Sequence, residues 1–262
     1  MNKFGFIGMG NMAQALAAGW INAGALKPEQ VLAYAPNQDK LQKNAEKIGF
    51  TPVCCVKKLV EQSDAVVIAC KPYQIEGVLE EVKELLTDKV VLSVALGWDY
   101  SKYAGLLPAS RIQFVMPNTP AMVSEGVFLF EQMNSLTEGE RKQAEELFKT
   151  LGTVIELPTH LMGIGGSISG CGPAFVDLFM EAYADAAVKY GIPRPLAYQM
   201  VAQTVLGSAK LQLVTGEHPG VLKDNVCSPG GTTIRGVTKL EEKGLRDACV
   251  ASIDAIMEFR KS

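Results

Sequence analysis

The chain has 262 residues, 48% of them hydrophobic, and a formal net charge of -3. That length and apolar content support one large domain or two modest ones, and a mildly acidic balance without any basic run excludes a nucleic-acid footprint. The apolar stretches, such as residues 65–70, are strand-length and too short to span a bilayer, and the first residues lead into a strand at Phe4 with no basic segment before an apolar one; the expected compartment is the cytoplasm.

In chain order, the first half alternates short apolar runs with helical patterns. The runs KFGFIG, VLAYA, TPV, AVVIAC, VVLSVAL and RIQFVM are separated by helix-like stretches near residues 11–24, 37–48, 56–62, 72–86 and 99–106. Strands that are apolar on both faces and alternate with helices predict a doubly wound, mostly parallel sheet covered on both sides. GVFLFE and TVIELP extend it as later strands, and Thr137 with Glu140 makes a capping box for a helix between them, reaching about Thr150. After Pro158 no strand pattern follows. Helical patterns run over 159–168, 173–190, 194–215 and 231–260, the last with a break near Lys243 and Gly244. Pro173 and Gly191 bracket the second of these as a first-turn proline and a terminal glycine. The fold class is therefore α/β: a Rossmann-like nucleotide-binding domain over residues 1–158, then an all-α domain over 159–262. The helical half is rich in small residues, which suit close helix packing between subunits.

The six cysteines include no C-x-x-C pair, so reduced, mostly buried thiols are expected, and the two histidines, His160 and His218, form no ligand pattern that would predict a metal. Gly8-Met9-Gly10-Asn11-Met12-Ala13 follows the first strand and opens a helix, which is G-x-G-x-x-A in strand–turn–helix context. Gly8 makes the turn, Gly10 lets a pyrophosphate approach the backbone, and Ala13 keeps helix and strand close; a dinucleotide site is expected there in preference to a structural turn. NAD sites usually carry Asp or Glu at the tip of the second strand, but here the chain reads Tyr34-Ala35-Pro36-Asn37-Gln38-Asp39-Lys40. No acid stands at the tip to repel a 2′-phosphate, and Asn37 and Gln38 carry donors for one; Lys40 could add charge but reads first as a solvated turn residue. The expected cofactor is NADPH, with NADH left open.

Lys71 and Pro72 end the fourth strand, and Asn118 and Thr119 end the sixth. Ligands of open parallel sheets sit at the carboxyl ends of strands, so these four join the cofactor side; taken singly, each is an ordinary loop residue. Ser167 to Pro173 is a second glycine-rich helix start, with cofactor contact and close helix crossing both open. Asp177, Glu181 and Asp185 recur every four residues, either as a solvated stripe or, at Glu181, as a partner for a cationic nitrogen. In Asn225–Glu241, NVCSPGGTTIRGVTKLE, Pro229, Gly230 and Gly231 turn the chain into a helix that begins with Thr232 and Thr233. Such a turn points backbone N–H groups outward at the positive end of a helix, an anion cradle sized for a carboxylate; a capped helix start is the plainer reading.

Together GFIGMGNMA, VVIACKP, MPNTPAMVSEGV, SISGCGPAFV, KYGIPR and NVCSPGGTTIRGVTKLE resemble, in order and spacing, the pyrroline-5-carboxylate reductase family over essentially the whole chain. The resemblance implies a Rossmann domain that feeds hydride to a pocket in a helical dimerisation domain, with the helical domains of two subunits interlocked. It implies that Gly230, Gly231 and Thr232 cradle the carboxylate of 1-pyrroline-5-carboxylate; Glu181 joins them as a substrate contact on the reading of the acidic stripe alone. Thr233 is then the catalytic hydroxyl near the ring nitrogen. Gly8, Gly10, Asn11, Met12, Ala13, Asn37, Lys71, Pro72, Asn118 and Thr119 fall on the cofactor side. An imine nitrogen is basic enough to be protonated without a strong enzymic acid, which suits a chain with no evident catalytic dyad. Cys171 and Cys227 depart from the Ser or small residue common in the family, and Ala35 and Val56 from residues that favour NADP. A β-hydroxyacid dehydrogenase would need a Lys soon after Gly172, where the chain reads Pro173 to Asp177. A non-catalytic NADP-binding sensor would have no need of the Gly230–Thr233 turn.

Overall fold

The computed structural model describes residues 1–260. Its strands are β1 (Phe4–Ile7), β2 (Val31–Tyr34), β3 (Thr51–Pro52), β4 (Ala65–Ile68), β5 (Val90–Ser93), β6 (Arg111–Met116), β7 (Gly126–Asn134) and β8 (Gly152–Leu157). Its helices are α1 (Asn11–Asn22), α2 (Gln38–Ile48), α3 (Val56–Glu61), α4 (Ile75–Glu80), α5 (Tyr100–Leu106), α6 (Glu138–Lys149), α7 (Thr159–Lys189), α8 (Arg194–Thr215), α9 (Pro219–Asn225), α10 (Thr232–Glu242) and α11 (Leu245–Phe259). Contacts divide the chain into two units, residues 1–170 and 171–262. The boundary expected after residue 158 falls at the start of α7, whereas the contacts divide within that helix. Among the described residues no helix is long and apolar enough to cross a membrane.

The first unit is built on one eight-stranded sheet in the order β3-β2-β1-β4-β5-β6-β7-β8. All neighbours are parallel except β6 and β7. Only residues 117–125 separate those two, too short a connection for a parallel crossover, so the strand doubles back. Alternation along each strand sends neighbouring side chains to opposite faces. Phe4, Phe6, Ala65, Val67, Val90 and Leu92 enter one apolar core with α1 and α6, while Ile7, Val66, Ile68 and Val91 enter a second with α3, α4 and α5. Trp20 of α1 is fully buried in the first core, edge-on to Phe148 of α6 at 5.2 Å between ring centroids. The Thr137–Glu140 capping box starts α6 as expected.

Helix α7 departs from the two separate helices that the sequence suggests over 159–168 and 173–190. It runs unbroken for 31 residues with Pro173 inside it. A proline there leaves the carbonyl of Ser169 without its helical donor, and the Asn118 side chain supplies one at 3.0 Å. In the second unit, Gly191 at φ +97 closes α7 and Gly216 at φ +66 closes α8. Helix α9, which the sequence reading leaves as loop, starts on Pro219 with the His218 side chain accepting from Gly220 N. Among the described residues of this unit, Ala184 and Ala197 are the only buried apolar side chains.

Candidate active site

In the first unit, sheet order reverses between β1 and β4, which opens a crevice beyond the carboxyl ends of those strands. A cleft of about 900 Å³ occupies it. Gly8, Gly10, Asn11, Met12, Ala13, Asn37, Lys71 and Pro72 all line this cleft, so eight of the ten expected cofactor residues are brought to one place. Gly8 has φ +98, and a Cβ there would lie 2.6 Å from Cys70 N, so the β1–α1 turn passes hard against the end of β4. Gly8 N donates to Tyr34 O at 2.8 Å, and Gln14 Nε2 donates to Met9 O at 3.0 Å, which fixes the turn from both sides. Gly10 is the N-cap of α1, and a Cβ on it would meet nothing within 4 Å. Helix α1 has no side-chain cap and no acid in its first turn. Its first amides and the open space over Gly10 therefore fit a pyrophosphate, which needs donors, a positive helix end and close backbone approach.

At the end of β2, the Asn37 side chain accepts from Lys40 N at 2.9 Å and so caps α2, while Gln38 Nε2 donates to Ala35 O at 2.8 Å. Lys40 and, one turn on, Asn44 line the cleft beside Asn37. Asn44 was not singled out from sequence, although its i+4 spacing from Lys40 puts it on the same face of α2. The end of β5 adds Val94, Ala95 and Leu96 to the lining, a contribution that its place in the same sheet edge makes readable. Cys70 also lines the cleft, and burial pushes its thiol pKa up, which favours the neutral, unreactive form. Behind this edge Ser93 Oγ donates to the Tyr103 hydroxyl at 2.8 Å, and burial holds that phenol well above its ordinary range and neutral.

Asn118 and Thr119 lie outside the cleft lining. The Asn118 amide is engaged at both ends, accepting from Val127 N at 2.8 Å and donating to Ser169 O at 3.0 Å.

In the second unit, residues 228–231 form a tight turn closed by Gly231 N donating to Ser228 O at 3.0 Å. Pro229 supplies a fixed φ, and Gly230 takes φ +70, the two requirements of a type II turn. A Cβ on Gly231, the N-cap of α10, would lie 2.6 Å from Ser228 Oγ and 3.0 Å from Ser228 O, so a side chain there would displace the Ser228 hydroxyl. Helix α10 has neither a side-chain cap nor an acid in its first turn, and Thr232 and Thr233 stand exposed beside its free amides. The arrangement offers uncharged main-chain donors with two hydroxyls beside them, which is the chemistry an anion needs. Glu181 lies elsewhere in this unit, with Asp177, Leu178, Tyr198 and Ala202 around a groove of about 640 Å³. Asp185, the third acid of the stripe, pairs with Arg194 at 2.5 Å. Among the described residues no three His, Cys, Asp or Glu side chains gather as a metal site.

The family model described as pyrroline-5-carboxylate reductase dimerisation matches residues 159–262, and that described as NADP oxidoreductase coenzyme F420-dependent matches residues 3–97. The chain is 40% identical to a pyrroline-5-carboxylate reductase of Treponema pallidum, over 97% of this chain and 98% of that one. Among solved structures, a pyrroline-5-carboxylate reductase from Coxiella burnetii superposes with a TM-score of 0.90 at 32% identity, covering 99% of this chain and 97% of that one. The pyrroline carboxylate reductase of Plasmodium falciparum, solved with NADP bound, gives 0.87 at 32% identity, covering 98% and 95%.

Proposed function

The chain belongs to the pyrroline-5-carboxylate reductase family, and from that premise we infer that it reduces the C=N bond of 1-pyrroline-5-carboxylate to L-proline with hydride from NAD(P)H, the last step of proline biosynthesis. It self-associates through its helical domain. We place that domain at residues 159–262, on the extent of the dimerisation match and the start of α7. The observation that carries the reading is the pair of uncapped, acid-free helix starts, one at α1 beside the open Gly10 and one at α10 behind the glycine turn.

When bound, the dinucleotide supplies the hydride that saturates the C=N bond. Gly8, Gly10, Asn11, Met12 and Ala13 would hold its pyrophosphate, through the α1 amides and the space that a side chain at residue 10 would fill. Asn37, Lys71 and Pro72 flank it along the cleft. With no acid among the cleft residues at the end of β2, and Lys40 there, NADPH is the preferred form and NADH the weaker one. On the substrate side, Gly230, Gly231 and Thr232 take the carboxylate with main-chain donors. The Thr233 hydroxyl orients the ring nitrogen without ionising. Glu181, in the acidic groove, attracts the cationic iminium form. Catalysis rests on placement more than on proton transfer by the enzyme. We assign the protein to the cytoplasm, a reading supported by six cysteines that are all free thiols.

The deciding experiment mixes purified protein with 1-pyrroline-5-carboxylate and either NADPH or NADH and follows loss of reduced-nicotinamide absorbance. Stoichiometric formation of proline is expected, faster with NADPH. Tight cofactor binding without any turnover of the imine would mean a sensor and would end this reading.

A further inference from the structure

Pro173 sits inside α7, where it has no N–H to give, so the carbonyl of Ser169, four residues earlier, has no donor within the helix. The Asn118 side chain fills that place, donating to Ser169 O at 3.0 Å, and the same amide accepts from Val127 N at 2.8 Å. Asn118 is 6% exposed and Ser169 9%, its hydroxyl donating to Gly165 O. One amide thus ties together the end of β6, the start of β7 and the turn of α7 that precedes the proline. The contacts divide the chain immediately afterwards, between Gly170 and Cys171. The peptide at that point is the covalent link between the nucleotide-binding unit and the helical unit, and α7 passes through it as continuous helix.

We propose that Asn118 is a positioning residue for the reduction, giving Ser169 the hydrogen bond that Pro173 withholds and so keeping α7 rigid where it leaves the first unit. The proposal rests on the reductase reading. Helices kink at proline because the ring crowds the carbonyl four residues earlier and takes away its donor; a side-chain donor to that carbonyl holds the turn in one geometry. Hydride transfer tolerates little misplacement, so a loosened α7 lowers turnover. Cofactor affinity is spared, because Asn118 lies outside the cleft lining.

The test is a double-mutant cycle of Asn118→Ala and Pro173→Ala. Its readouts are NADPH affinity by fluorescence titration, kcat with 1-pyrroline-5-carboxylate, and melting temperature. Asn118→Ala alone is expected to lower kcat about tenfold while the NADPH Kd stays within about twofold. Pro173→Ala restores a backbone donor to Ser169, so adding Asn118→Ala to it costs about threefold or less. An equal loss in both backgrounds overturns the proposal, and so does a rise of about tenfold in NADPH Kd with kcat intact. Should Asn118→Ala fail to fold, the double variant decides: recovery of fold and turnover supports the coupling, and continued failure overturns it. Absence of imine turnover in the wild type would sink the reductase reading instead, and the coupling would still be read in the melting temperatures.

Discussion

At the scale of single residues, two glycines two positions apart do different work. Gly8 is required by the protein itself, since its φ of +98 and the backbone of residues 69 and 70 leave no place for a Cβ. Gly10 is not required by the protein, since a Cβ there meets nothing within 4 Å; its role in the proposed site is to leave room for the pyrophosphate. Gly8→Ala is expected to lower the melting temperature by several degrees, at a cost of about 1–2 kcal/mol or more. Gly10→Ala is expected to melt like wild type yet to bind NADPH at least about tenfold more weakly, as calorimetric titration would show. Normal NADPH affinity in Gly10→Ala would remove the pyrophosphate from that turn. For Thr233, exposed beside the α10 amides, Thr233→Ala removes one polar contact to bound substrate, about 1–3 kcal/mol. The rate should fall severalfold to about a hundredfold with the melting curve unchanged; wild-type turnover would count against the role. Much of this site is legible in the residues. The G-x-G-x-x-A turn, Asn37, Lys71 and Pro72 converge because a parallel sheet brings the same ends of its strands to one edge. The actual work of Asn118 is not legible, because its partner is a carbonyl fifty-one residues away, exposed by a proline.

At the scale of elements, α6 shows how a helix start couples to pH. Burial pushes the Glu140 carboxyl up, but the Thr137 amide and hydroxyl and the Arg111 guanidinium outweigh it and hold the group below its ordinary value of 4.5. Asp64 is lowered as well, chiefly by the Asn2 amide. A carboxylate with a depressed folded-state pKa stabilises the fold above its ordinary value and loses that contribution as pH falls through the folded-state one. Melting temperature should therefore hold steady down to about pH 5 and drop below about 4.5. Glu140→Gln should melt lower at neutral pH and show a shallower acid decline; parallel curves for the two proteins would acquit Glu140. Strands β1, β2, β4 and β5 are readable because each is a compact, fully or nearly fully buried apolar run between breakers. Two features escape such reading. Helix α9 opens on Pro219-Gly220, a dipeptide that reads as a turn. The unity of α7 depends on a side chain from the β6–β7 connection, so Pro173 and its preceding glycines read as a break.

At the scale of the whole molecule, the helical unit buries Ala184 and Ala197 but leaves Leu206, Leu211, Leu213, Val214 and Val250 exposed. Helices with that much uncovered apolar surface find their core in another copy, as the self-association of the family requires. Leu206→Asp is expected to shift the protein from dimer or larger to monomer in sedimentation and to abolish turnover. NADPH binding by the first unit should survive within about threefold. A Leu206→Asp dimer with full activity would place the interface elsewhere. The near-coreless second unit also makes the last stage of folding a meeting of two chains. Recovery after dilution from denaturant should therefore be second order, with half-time lengthening as concentration drops. A newly made chain in a sparse population would wait with its C-terminal third open to proteases while its nucleotide-binding two thirds stood finished.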